Sequence, residues 1–188
     1  FHYTILDESG RIESPYFRSD YRKWFAAHAA GQDPDETGLG WNDHGASEYK
    51  LEENLHPTVW TGNEAVAAIE SYCGEEPLFL KVSFARPHSP YDPPRRVLDM
   101  YDGMEIPAPA KGDWSVDIGK GITNPDVYPE AAFAQFSDGY AENTKKHYYA
   151  AVTFIDEQVG RIVDALKAAG RYDNAMIVFV SDHGDMMG

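Results

Sequence analysis

Apolar residues along this chain fall into two kinds of pattern, helical stripes and short continuous runs, and the two alternate. Between residues 61 and 72, Val66, Ile69 and Tyr72 recur at helical spacing. Thr61 stands at the cap position with Glu64 three residues on, as in a capping box, and Gly74 follows as a stop. Over residues 143–169, Val152, Ile155, Val159, Ile162, Val163 and Leu166 line one stripe. Lys145, Lys146, Glu157, Arg161, Asp164 and Lys167 fall mainly elsewhere, and Gly170 closes the helix. Each helix is followed by a short apolar run that suits a buried strand. One is Leu78-Phe79-Leu80-Lys81-Val82-Ser83-Phe84, opened by Pro77; the other is Met176-Ile177-Val178-Phe179-Val180. Helical composition also marks residues 21–30, closed by Gly31, and residues 95–101 read as a short helix. The latter lies in a proline-rich stretch, 86–128, and a loop of that length inside a compact domain is usually functional.

Helix followed by buried strand, twice over, predicts an α/β fold with a largely parallel central sheet flanked by helices. In open sheets of this kind ligands sit beyond the carboxyl ends of the strands. Both runs release a polar cluster at that end. The first leads into Arg86-Pro87-His88-Ser89-Pro90-Tyr91, the second into Ser181-Asp182-His183-Gly184-Asp185. Parallel neighbours would bring His88 and the Asp182–His183 couple together across ninety-odd residues of sequence. That convergence is the central expectation.

The chemistry at each cluster has two readings. Asp182 and His183 make half of a metal site, with Gly184 allowing the turn that faces both toward one ion. They equally suit a strand-end turn in which Asp182 caps local amides and His183 is solvated. Asp185 is open between a further ligand and a helix cap. His88, held between Pro87 and Pro90, has the near-neutral titration that proton transfer requires, and also suits a plain hydrogen bond to a carbonyl. Arg86 is a candidate for binding an anionic substrate, or for pairing with one of the chain's own acids.

Composition narrows the field. The chain has 188 residues with 31 acids against 16 bases, a net charge of -15. Phosphate backbones are bound by a surplus of Lys and Arg, so nucleic acid and anionic membrane surfaces are not the expected partners. No stretch reaches the roughly 20 apolar residues of a membrane span. The lone Cys73 excludes an internal disulfide and reads as a partly buried small residue. Starting at Phe1 and stopping just after a dense polar cluster, the chain reads as part of a longer one.

In order along the chain, Ser83-Phe84-Ala85-Arg86-Pro87-His88-Ser89-Pro90-Tyr91, the long helix, and Ile177-Val178-Phe179-Val180-Ser181-Asp182-His183-Gly184-Asp185 resemble the middle of a type I sulfatase of the alkaline phosphatase superfamily. The resemblance runs from about Glu64 to the end; Leu55-His56-Pro57-Thr58 and Trp60-Thr61-Gly62 are similar less specifically, and residues 1–50 carry no motif that can be placed. It implies that residues 1–188 are a partial sulfatase catalytic domain with the alkaline phosphatase-like sandwich, and that the activity is hydrolysis of sulfate esters. It also implies that Asp182 and His183 are ligands of a divalent cation, calcium first and manganese or zinc as alternatives, and that His88 assists the leaving alcohol. The family's nucleophile is a formylglycine made within a C/S-x-P/A-x-R motif. This sequence contains no such motif, Cys73 being followed by Gly74-Glu75-Glu76, so the isolated segment is expected to be inactive. A periplasmic or secreted location is what the resemblance favours.

The loop with Tyr91, Trp114 and Tyr128 suits the leaving-group side of such a site, where aromatic faces would accept a sugar or another polar alcohol. His44, His56 and His147 read as structural or surface residues. Two rival readings stand beside the sulfatase: a phosphodiesterase or phosphonate monoester hydrolase of the same superfamily, and a binding scaffold with this fold and no turnover.

Overall fold

The computed structural model describes residues 2–7, 14, 16–40, 43, 45–108 and 138–185. Four α-helices appear among them: α1 (Asp20–His28), α2 (Pro57–Ser71), α3 (Arg95–Asp99) and α4 (Asp138–Ala168), with a 3-10 turn, Glu53–Leu55, leading into α2. The chain starts α1 where Ser19 Oγ accepts a bond from the backbone N–H of Arg22 and donates one to Asp7.

The start of α2 differs from the capping-box expectation. Pro57 occupies the first turn, where its missing N–H costs nothing, and His56 is the N-cap, its Nδ1 accepting from the Thr58 N–H at 3.1 Å. Thr61 lies one turn inside. A cap supplied by an imidazole has no compositional signature, which is why the Ser/Thr/Asp/Asn rule pointed five residues too late. At the other end of the molecule α4 stops as expected. Gly170 has φ of 65°, the Gly170 N–H bonds to the Lys167 carbonyl, and the Arg171 N–H bonds to Leu166; these paired bonds need a residue at positive φ.

Two apolar clusters hold the helices. Tyr21 and Phe25 of α1, with Ala29 just past its end, pack on Leu55 and Trp60, while Val97 and Leu98 of α3 pack on Ala150 and Phe154 of α4. The buried face of α4 is rotated from the expected stripe. It runs through Ala141, Thr144, His147, Ala150, Ala151, Phe154, Ile155, Gln158 and Ala165, whereas Val152 is 44% exposed. Small and polar residues line this face because α2 comes close: a Cβ added to Gly62 would lie 2.6 Å from Gln158 Oε1. The larger aliphatics Val159, Ile162, Val163 and Leu166 are only half-buried.

No strand is assigned among the described residues. Residues 78–84 and 176–180 carry neither helix nor strand, and part of their apolar surface stands in the open: Phe79 is 76% exposed and Phe179 77%, whereas Leu78, Val82 and Phe84 are half-buried. Cys73, expected to be partly buried, is exposed just past the C-cap of α2. Among the described residues, no helix is long and apolar enough to cross a membrane.

Candidate active site

The turn that follows residues 78–84 is closed by a buried ion pair. Arg86 donates from Nε and Nη2 to the two carboxylate oxygens of Asp92, both at 2.7 Å, and the residues are 6% and 3% exposed. Burial alone would raise the Asp92 pKa; the Arg86 charge, reinforced by hydrogen bonds, outweighs it and holds the carboxyl well below the usual range. Arg86 thus meets an acid of its own chain. Nε and Nη2 are taken by Asp92, the pairing alternative, while Nη1 is buried without a hydrogen-bond partner.

His56 completes this buried group. Its Nε2 lies 3.6 Å from Asp92 Oδ1, and its ring stands edge-on to Tyr49 and Phe154 at 4.6 and 5.2 Å. Burial lowers its pKa against the pull of Asp92, so the ring is neutral in the fold. Downstream, the Ser47 and Tyr49 N–H groups donate to the carbonyls of Tyr91 and Pro93, each at 3.1 Å. The residues of this turn are therefore fixed at both ends.

His88 sits half-buried at the middle of the turn, between cis peptide bonds at Arg86–Pro87 and Ser89–Pro90. Its Nδ1 is 3.0 Å from the Ser89 carbonyl. A carbonyl only accepts, so in this contact Nδ1 carries the proton and donates it.

The second cluster meets the first. The rings of His88 and His183 are 6.3 Å apart, edge to face, and the Tyr91 hydroxyl donates to Asp185 Oδ2 at 3.0 Å. Tyr91 is buried beside Tyr148, ring centroids 6.1 Å apart. Burial first, then the Asp185 charge, pushes its hydroxyl pKa upward, so it remains a donor. Asp185 is thus the acceptor of a cross-turn bond; neither of the roles open for it in the sequence predicted this. Residues 181–185 are also bonded among themselves. Asp182 Oδ1 accepts from the His183 N–H at 2.9 Å, Ser181 Oγ bonds to the His183 carbonyl, and His183 Nδ1 approaches the Gly184 carbonyl at 3.3 Å.

This arrangement fits a partial metal shell by the chemistry of its donors. A ligating imidazole ordinarily gives its other N–H to a carbonyl, as His183 does, which leaves Nε2 to the ion. Among the described residues no three His, Cys, Asp or Glu side chains gather around one point.

The remaining candidates divide. His147 is buried and bonded through Nδ1 to the Asn143 carbonyl at 2.8 Å, and burial lowers its pKa; with His56 it is structural, as read. His44, Trp114 and Tyr128 lie outside the described residues. Asp92 is the residue that sequence reasoning missed, although an acid six positions from Arg86, beyond a proline-bracketed turn, was visible.

Comparison with known proteins gives this geometry a context. Residues 23–188 match the family model described as Sulfatase. An arylsulfatase of Clostridium perfringens is 38% identical over 182 residues, 90% of this chain and 35% of the relative. A choline-sulfatase of Rhizobium meliloti is 31% identical over 60% of this chain and 22% of its own length. An ulvan-active sulfatase of Formosa agariphila is 30% identical over 61% of this chain and 18% of its own. The chain spans about a third of the arylsulfatase and less of the others. With nearly the whole sequence inside the match, and its two histidine-bearing turns meeting in space, the chain belongs to the sulfatase family.

Proposed function

We propose that the protein containing this chain hydrolyses sulfate esters of saccharides or other polar alcohols, with His88 acting on the departing oxygen. The observation that carries the reading is the 6.3 Å approach of His88 to His183 within a chain of the sulfatase family. A sulfate ester departs as a poor alkoxide from an anionic centre, so the site must supply both positive charge and a proton. With Nδ1 tethered to the Ser89 carbonyl, His88 presents Nε2 as the atom that delivers the proton to the leaving oxygen. Asp182 and His183 would hold a divalent cation, calcium foremost, which supplies positive charge to the sulfate oxygens. The nucleophile, a formylglycine in this reading, comes from sequence outside these 188 residues. Residues 78–84 and 176–180 then serve as strands of the proposed parallel sheet, where helices packed on its faces would cover their exposed apolar side chains.

Relatives named for choline sulfate and ulvan favour alcohols from small to polymeric, and the acidic surface is no obstacle, because only the local field matters to a small anion. The test is steady-state hydrolysis of an aryl sulfate and an alkyl sulfate by the full protein. His88→Ala should lower kcat by about 10²–10⁴ without moving the melting temperature, and chelation should suppress turnover reversibly. Full activity in His88→Ala, or turnover of a phosphodiester in preference to both sulfates, would refute the reading.

A further inference from the structure

The geometry points to the buried Arg86–Asp92 pair as the positioning device for His88, a clamp that closes the turn over residues 86–92 and sets the ring against His183. The inference rests on the proposed role of His88 and deepens it. Arg86 stands two residues before His88 and Asp92 four after, and the two parallel 2.7 Å bonds join them behind the turn. A bidentate guanidinium–carboxylate contact is planar, so it fixes orientation as well as distance. Both partners are more than nine-tenths buried, so salt does not screen the contact.

The clamp is in turn seated on the rest of the fold. His56, the cap of α2, approaches Asp92 at 3.6 Å and stacks edge-on against Phe154 of α4. The strand-like bonds from Ser47 and Tyr49 hold the residues on either side of Asp92. Stability alone is a poor reason for such a pair, since a buried ion pair is often no more stabilising than apolar residues of similar volume. What an apolar pair lacks is direction. Within the turn, the Ser89 carbonyl then sets the ring of His88, and misplacement of a reacting group by about 1 Å costs on the order of 10²-fold in rate.

The experiment uses the full protein, with 4-nitrophenyl sulfate as an ester whose leaving group needs little protonation and ethyl sulfate as one that needs much. The double variant Arg86→Met/Asp92→Leu removes both charges and so avoids stranding one. It should keep its melting temperature and lose roughly 10²-fold in kcat on ethyl sulfate, with a much smaller loss on the nitrophenyl ester and KM little changed on either. Arg86→Lys keeps the charge but not the fork, and should show the same leaving-group bias at smaller size; this arm decides the matter if the double variant does not fold. Equal losses on the two esters, or no loss, overturn the clamp. His88→Ala is the reference. If it shows the bias and the clamp variants do not, the clamp alone fails; if it shows none, the role of His88 fails and takes the clamp with it.

Discussion

The two turns that meet at the candidate site are built on opposite plans. Residues 86–92 are closed by a buried ion pair and flanked by backbone bonds to residues 47 and 49, with His88 held over that support. Residues 181–185 hold themselves by bonds within five residues, and Asp182 and His183 are exposed; across the gap Tyr91 bonds to Asp185 and the rings of His88 and His183 approach. One half of the site is preorganised by the packed helices. The other keeps its donor atoms at the surface, where an ion could bring them into register. The difference matches the tasks proposed for them, since a proton donor must be aimed before the substrate arrives, whereas metal ligands are ordered by the metal itself.

The contrast is sharpest in stability. Asp92→Ala strands the Arg86 guanidinium in the interior and should cost about 3–5 kcal/mol in urea unfolding; a loss below about 1 kcal/mol would mean that the turn is not held by this pair. A smaller effect tests the platform beneath it. The missing side chain of Gly62 lets α2 approach α4, and the added methyl of Gly62→Ala would meet Gln158 at 2.6 Å from Oε1 and 3.2 Å from Cβ. We expect a loss of about 1–3 kcal/mol, with the pH dependence of stability unchanged.

That pH dependence is itself informative. His56 and His147 are kept neutral by burial, below their ordinary pKa of 6.5, so the unfolded chain binds the extra protons. Their stability contribution is whole above pH 6.5 and is lost as pH falls through it, by up to about 1.4 kcal/mol per unit for each ring. Asp92, lowered below its ordinary 3.8, adds a separate loss only in stronger acid. His56→Asn keeps a capping acceptor for the Thr58 N–H and should remove one histidine's share of the slope between pH 6.5 and 5; an unaltered slope would place the titration elsewhere. At the small end, Asp182→Asn in chelator should change unfolding by about 0.5 kcal/mol or less. A larger loss would show that residues 181–185 carry structural load of their own.

Much of this was legible along the chain and some of it was not. The helices α2 and α4 declared themselves through periodicity, α4 also through its glycine stop, and the meeting of His88 with His183 followed from two polar clusters leaving two similar runs. The start of α2 was misplaced because His56 is not a compositional cap. The buried stripe of α4 was misread because close approach of α2 favours Ala, Gly62 and the polar Gln158 over Val152. Burial of Arg86 was invisible, since nothing in the order of residues says that Asp92 folds back beneath it.

What the sequence determined unaided was local or periodic: which segments are helical, that Gly170 ends α4, and which residues could do acid–base or metal chemistry. Tertiary structure alone decided which charges find each other, which face of α4 is inside, and that Arg86 answers to Asp92. Helix periodicity is a property of neighbours in sequence. Burial and ion pairing depend on whichever distant segment arrives alongside, and only the folded chain supplies that.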